Sequence, residues 1–126
     1  MSIRGIGIDI VEIIRIDAVI EKVGDRFAER ILSDIEFGQY KKNIKPGLFL
    51  AKRFAVKEAT VKAFGIGMRG GLAFNQIETL HDNLGKPYLC LLKNAKVIAK
   101  TLCVTRIYVT LSDEKKYACA MVILED

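Results

Sequence analysis

Two acids and one lysine have the residue types and surroundings for chemistry. Glu58 and Lys62 lie in L-A-K-R-F-A-V-K-E-A-T-V-K-A-F-G, residues 50–65, which has helix-forming composition and ends at Gly65, a natural left-handed cap. On a helical wheel Glu58 stands in the middle of an arc holding Ala51, Phe54, Ala55 and Val61, with Lys62 one turn further on. A carboxylate among apolar neighbours is costly unless a cation or hydrogen-bond donors meet it. A Glu–Lys pair at this spacing is most often a solvated ion pair contributing only about 0.2–0.5 kcal/mol. Its place on the apolar arc favours a functional role. The second acid, Asp9, lies in I-R-G-I-G-I-D-I-V, residues 3–11, which alternates like a strand. Ile6, Ile8 and Ile10 share one face; Gly5, Gly7 and Asp9 share the other, where the missing side chains allow a close approach. Taken alone, Asp9 reads as a strand-end residue that caps the next helix. Taken with Glu58, it can converge on one hard cation. Two carboxylates with positions left for water and phosphate oxygens is the usual way to hold Mg²⁺.

The elements that must position these residues follow from periodicity. Ile13, Ile16, Ile20 and Val23 predict a helix from Glu12 to Val23, stopped by Gly24. R-F-A-E-R-I-L follows as a short basic amphipathic segment, with Arg26 and Arg30 one turn apart and Phe27 on the apolar side. Ser33 and Glu36 form a capping box that predicts a helix from about Asp34 to Lys42. Lys41, Lys42 and Lys45 cluster before Pro46-Gly47, as solvated lysines or as a hold on an acidic partner. After the central helix, G-I-G-M-R-G-G at 65–71 is a weak phosphate-loop signal that fits neither nucleotide fingerprint. Phe74–His81 and Pro87–Leu92 predict a hairpin turned by D-N-L-G-K, with His81 at the surface. Asn94 is expected to cap a helix reaching about Leu102, before strands at 104–112 and 117–125. The order β-α-α-α-β-β-α-β-β predicts an α+β fold, a mostly antiparallel sheet around the long central helix, in one domain spanning 1–126.

Lys and Arg total 20 against 15 Asp and Glu, a net charge of +5. That balance favours an anionic partner: nucleic acid, phosphorylated small molecule or acidic protein. No apolar run approaches the ~20 residues of a membrane helix, and the N-terminus lacks signal-peptide features. Cys90, Cys103 and Cys119, widely spaced among apolar residues, read as reduced core residues. A cytoplasmic protein without membrane association is expected.

At four places the sequence resembles bacterial holo-acyl-carrier-protein synthases, the small phosphopantetheinyl transferases. These are G-I-G-I-D-I-V-E-I-I-R-I at 5–16, F-L-A-K-R-F-A-V-K-E-A-T-V-K-A-F-G at 49–65, L-G-K-P at 84–87 and the terminal L-S-D-E-K-K-Y-A-C-A-M-V-I-L-E. The resemblance implies transfer of 4'-phosphopantetheine from coenzyme A to a serine of apo acyl carrier protein, releasing adenosine 3',5'-bisphosphate and serving fatty acid biosynthesis. It implies Asp9 and Glu58 as Mg²⁺ ligands and Lys62 as the lysine that contacts the phosphates. It places Arg53, Lys62, Gly65 and Pro87 at coenzyme A, and Arg15, Arg26, Phe27 and Arg30 on the surface that meets the acidic carrier protein. It also implies a homotrimer with active sites between subunits, so that neighbouring chains would supply Asp9 and Glu58. One departure stands out: many members carry His after the Ser in the last strand pair, where Asp113 follows Ser112 here, and a role of that His does not pass to Asp113.

Two other classes share part of this pattern. A metal-dependent nuclease also combines Asp, Glu and Lys, but on a strand with acid and lysine one residue apart, and interleaved aromatic and basic residues for nucleic acid are missing. No specific nucleic-acid binding is therefore expected. A non-catalytic coenzyme A module would not need both acids.

Overall fold

Ten residues of extended chain open the structure, a computed structural model that describes residues 1–126. This strand, β1 (Ile3–Glu12), pairs antiparallel with β5 (Tyr117–Glu125), which pairs in turn with β4 (Arg106–Asp113) to give a three-stranded sheet ordered β1-β5-β4. Helix α1 (Ile13–Val23) leaves β1 without a loop and stops at Gly24, whose φ of 65° suits a residue without a Cβ. Helices α2 (Arg26–Ile31) and α3 (Asp34–Lys42) follow. The Ser33 hydroxyl accepts from Glu36 N at 3.2 Å, and Glu36 Oε1 accepts from Ser33 N at 3.0 Å, so the expected capping box is formed. The long helix α4 (Pro46–Phe64) ends at Gly65 in the left-handed conformation. Beyond it β2 (Ile77–His81) and β3 (Pro87–Leu91) form a separate hairpin, and α5 (Lys93–Thr101) leads back to the sheet. The result is the expected α+β architecture, with antiparallel sheets and the long helix at the centre.

Five local expectations need correction. The central helix starts at Pro46, a turn before Leu50, because proline's fixed φ and missing N–H suit the first helical position. Arg26–Ile31 is a full helix, so four helices rather than three separate β1 from β2. Phe74–Gln76 is a 3-10 turn instead of strand. There Gln76 donates to Gly71 O and accepts from Ala95 N, each at 3.0 Å, tying the loop to α5. Asn94 lies inside α5 rather than capping it, and its amide donates to Gly71 O. Cys103, read as a core residue, is exposed with φ 61°.

What places the sheet on the helix is the glycine face of β1. Gly5, Gly7, Asp9 and Val11 point toward α4, as do the buried Ala118, Ala120, Val122 and Leu124 of β5. A Cβ on Gly7 would lie 1.8 Å from the Ala59 carbonyl oxygen, and one on Gly5 would lie 2.0 Å from that of Ala63. The space cleared beside Asp9 is thus filled by helix backbone. The apolar core of 23 buried residues is centred on this contact, with Leu50, Ala51, Ala55, Val56 and Ala59 fully enclosed. The opposite face of β1 is bare: Ile6, Ile8 and Ile10 are 59%, 54% and 63% exposed.

Gly7→Ala must push the strand off the helix, and overpacking of this kind costs about 1–3 kcal/mol. Urea denaturation should show a clearly lowered midpoint; an unchanged midpoint would mean that strand and helix separate at no cost.

Candidate active site

The packing of β1 on α4 carries Asp9 to the helix face that holds Glu58 and Lys62. Lys62 Nζ lies 2.9 Å from Asp9 Oδ1 and donates also to Ile8 O at 3.0 Å. Asp9 is therefore no helix cap: it stands four residues ahead of α1 and is bound to the central helix. Asp9 and Glu58 share a cavity of about 390 Å³ whose other walls come from α1, α2 and α4, including Arg15, Val19, Phe27 and Phe54. The Phe27 and Phe54 rings meet edge to face at 5.3 Å. One chain supplies both acids to the cavity.

The electrostatics of Glu58 follow from this placement. Partial burial raises its pKa, the negative charge of Asp9 raises it further, and Lys62 opposes both. Two carboxylates in one cavity, with Lys62 the one lysine beside them, form a donor set that a dication would relieve. The residues present fit Mg²⁺, with two protein oxygen donors and open space beside them.

A cluster of basic side chains lies nearer the start of α4. Lys45, Lys52, Arg53 and His81 line a cavity of about 320 Å³ together with Gln39 and Asn43. Arg53 is nearly buried, its guanidinium lies 4.5 Å from the Phe49 ring centre, and its Nε has no hydrogen-bond partner. Glu36 Oε2 stands 3.7 Å behind it. Pro87, the first residue of β3, is paired directly with His81. Lys52 also meets Asp113 at 3.4 Å, so the residue that replaces the familiar His makes an ion pair at the end of β4.

Several expected residues stay outside these cavities. Arg26 and Arg30 are exposed on α2, on the same short helix as Phe27 but off the cavity wall. Gly65 caps α4 beyond Lys62. Of the lysines before Pro46, Lys41 pairs with Asp25 at 2.6 Å, and only Lys45 reaches the basic cavity. A larger cavity of about 700 Å³, between α1, the start of α4 and the β4–β5 turn, mixes Asp17, Glu21, Asp113 and Glu114 with two lysines and holds none of the expected residues.

One element went unread in the sequence. Lys57, adjacent to Glu58, is fully buried and pairs with fully buried Glu36 at 2.7 Å. It donates as well to the carbonyls of Phe74, at 3.0 Å, and Ile77. Glu36 Oε2 accepts from Thr79 N at 3.0 Å, and Ser33 Oγ donates to Glu78 at 2.6 Å. This network joins α3, α4 and β2 behind the two cavities. Removing one partner of such a pair typically costs about 3–5 kcal/mol, because the other charge is stranded. The capping box hinted at Glu36, but no pattern in the sequence announced its partner.

Similarity to known proteins extends over almost the whole chain. The profile of the 4'-phosphopantetheinyl transferase superfamily matches residues 5–122. A holo-[acyl-carrier-protein] synthase of Erwinia tasmaniensis is 59% identical over 125 residues, covering 99% of each chain. The crystal structure of holo-[acyl-carrier-protein] synthase from Neisseria meningitidis superposes with a TM-score of 0.93 at 39% identity, covering 99% of this chain and 100% of that one. The Bacillus anthracis holo-(acyl-carrier-protein) synthase, solved in complex with CoA (3',5'-ADP), superposes with a TM-score of 0.80 at 35% identity, covering 98% and 97% of the two chains. With the fold and the full-length similarity in agreement, this chain belongs to the 4'-phosphopantetheinyl transferase superfamily and, within it, to the holo-acyl-carrier-protein synthases.

Proposed function

We propose that this chain transfers 4'-phosphopantetheine from coenzyme A to a serine of apo acyl carrier protein, yielding holo acyl carrier protein and adenosine 3',5'-bisphosphate, with Mg²⁺ as cofactor. The observation that carries the reading is the cavity in which Asp9 and Glu58 meet, with Lys62 at Asp9 and Arg15 on the rim. Displacement at phosphorus needs in-line positioning and charge stabilisation more than covalent help. Asp9 and Glu58 would hold Mg²⁺, which when bound polarises the pyrophosphate and offsets charge developing on the departing phosphate. Lys62 supplies a fixed positive charge to the same phosphates and is placed to protonate the leaving group. Lys45, Lys52, Arg53 and His81 offer a second anion site, which suits the remaining phosphate of coenzyme A, with Gly65 and Pro87 bordering the bound donor. The enzyme works as one domain, 1–126, a reading supported by its single apolar core.

Around the reaction cavity, Arg15, Arg26 and Arg30 set positive charge beside the apolar Phe27, a surface suited to an acidic carrier protein. No helix is long and apolar enough to cross a membrane. A cytoplasmic role in fatty acid biosynthesis fits the proposed reaction, and the basic surface serves these partners rather than a specific nucleic acid. The bare isoleucine face of β1, continued by Met121 opposite Ile8 on β5, favours burial against other copies of the chain. A homotrimer in which active sites lie at subunit boundaries would bury it.

Three measurements follow. Intact-mass analysis of apo acyl carrier protein incubated with this enzyme and coenzyme A should show a Mg²⁺-dependent phosphopantetheine adduct that Glu58→Ala abolishes. No adduct on several carrier proteins, from a folded chain that binds coenzyme A, would leave a binding module. Arg15→Ala should raise KM for carrier protein several-fold more than KM for coenzyme A, with the difference shrinking at high salt; equal effects would remove Arg15 from carrier docking. Light scattering should give three chain masses for the wild type and fewer for Ile8→Glu, whereas a monomeric wild type would end the trimer reading.

A further inference from the structure

His81 is the only histidine of the chain. At the end of β2 it lines the basic cavity, with Lys52 and Arg53 of α4 and Lys45 just before that helix as its charged neighbours. Gln39 and Asn43, from the α3 side, contribute no charge, and Pro87 faces it across the hairpin. Asp82, the next residue, is the acid whose charge acts on it, and its Oδ1 is already engaged by the backbone N–H groups of Leu84 and Lys86. Glu36 lies behind Arg53 and is occupied by Lys57, Ser33 N and Thr79 N. Arg53 presents to this cavity a nearly buried guanidinium whose Nε has no partner. Lys52 is paired with Asp113 at 3.4 Å and Arg53 with Glu36 at 3.7 Å, both acids from outside the lining, so no acid lines the cavity itself and Lys45 has no acidic partner.

We propose that His81 is a specificity-determining residue for the donor, gaining a proton when a phosphomonoester enters this cavity, so that the enzyme reads the ribose 3'-phosphate of coenzyme A through a proton-linked contact. The inference rests on the reading of coenzyme A as donor. In the free chain, partial burial and the charges of Arg53 and Lys52 hold His81 below its ordinary pKa, with Asp82 opposing. Near neutral pH it is therefore uncharged. A phosphate dianion reverses the local sign, favouring imidazolium, which can donate to a phosphate oxygen. A phosphate ester has a second pKa of about 6, so at pH 7.5 the ligand is already a dianion with almost no proton to release. Proton uptake at that pH consequently reports the protein.

The sign of the pH dependence follows. A group whose pKa rises on binding strengthens binding below its bound pKa and loses that contribution as pH rises through it. Preference for coenzyme A over dephospho-coenzyme A should therefore fall between pH 6.5 and 8.5. Ionisation of the ligand phosphate over the same range acts in the opposite direction.

The test is titration calorimetry of the intact enzyme at constant Mg²⁺ and pH 7.5, in two buffers of different ionisation heat, with coenzyme A and with dephospho-coenzyme A. Both ligands carry the pyrophosphate, so linked protons at Asp9, Glu58 and Lys62 cancel in the difference. The wild type should take up about half a proton or more per site with coenzyme A relative to dephospho-coenzyme A. His81→Asn should abolish the difference, lower affinity for coenzyme A about twofold or more at pH 7.5, the linkage that half a proton of uptake implies, and leave dephospho-coenzyme A binding unchanged. His81 is exposed at a strand end, so the variant should keep the wild-type melting temperature. Preferred binding of coenzyme A with the same proton uptake in wild type and His81→Asn would overturn the role of His81 while leaving the donor reading intact. Absence of coenzyme A binding, together with absence of transfer, would overturn the donor reading and this inference with it.

Discussion

The contact between the glycine face of β1 and the backbone of α4 is the constraint on which the rest of the structure depends. With carbonyl oxygens of Ala59 and Ala63 within 1.8 and 2.0 Å of where side chains would begin, strand and helix can approach this closely only because Gly5 and Gly7 have none. Small residues continue the seam from the sheet side as Ala118 and Ala120. The short separation makes Asp9, two residues beyond Gly7, a near neighbour of Lys62 on the helix. A bulkier strand would set Asp9 back from Glu58 and Lys62.

The second support is electrostatic. Lys57 and Glu58 are adjacent in sequence and face opposite environments: Lys57 is sealed against Glu36 and two backbone carbonyls, whereas Glu58 opens on the cavity. One helix thus turns one charge into the fold and the next toward the cavity. Because Glu36 also accepts from Ser33 N and Thr79 N, the ion pair sets α3 and β2 against α4. Arg53 leans on the same carboxylate at 3.7 Å, close enough to share its charge and too far for a full hydrogen bond. Its guanidinium consequently remains available to the basic cavity.

These two supports separate two groups of side chains on the central helix. Basic side chains from α4 and the β2–β3 hairpin gather on one part of the central helix. Arginine and phenylalanine from α1 and α2 gather near the paired acids. The isoleucine face of the sheet is left to neither and remains free for another chain.

Much of this was legible in the sequence, for local reasons. Alternating isoleucines dictate a strand, the Ser33–Glu36 box and Gly65 mark helix ends, and D-N-L-G-K turns a hairpin. The glycine face announced a close approach, and the apolar arc announced a Glu58 that is hard to ionise, because both effects belong to a single element's periodicity. Tertiary structure decided what no single element contains. It made α4 backbone the occupant of the glycine face, sent Lys57 inward to Glu36, drew Gln76 and Asn94 from regular roles to bind Gly71, and brought His81 beside Arg53. Lys57 and Lys62 have the same chemistry on one helix, and only the packing of the surrounding elements determines that one is buried and the other meets Asp9. Charge pairing between residues far apart in sequence depends on distances that appear once the chain has folded.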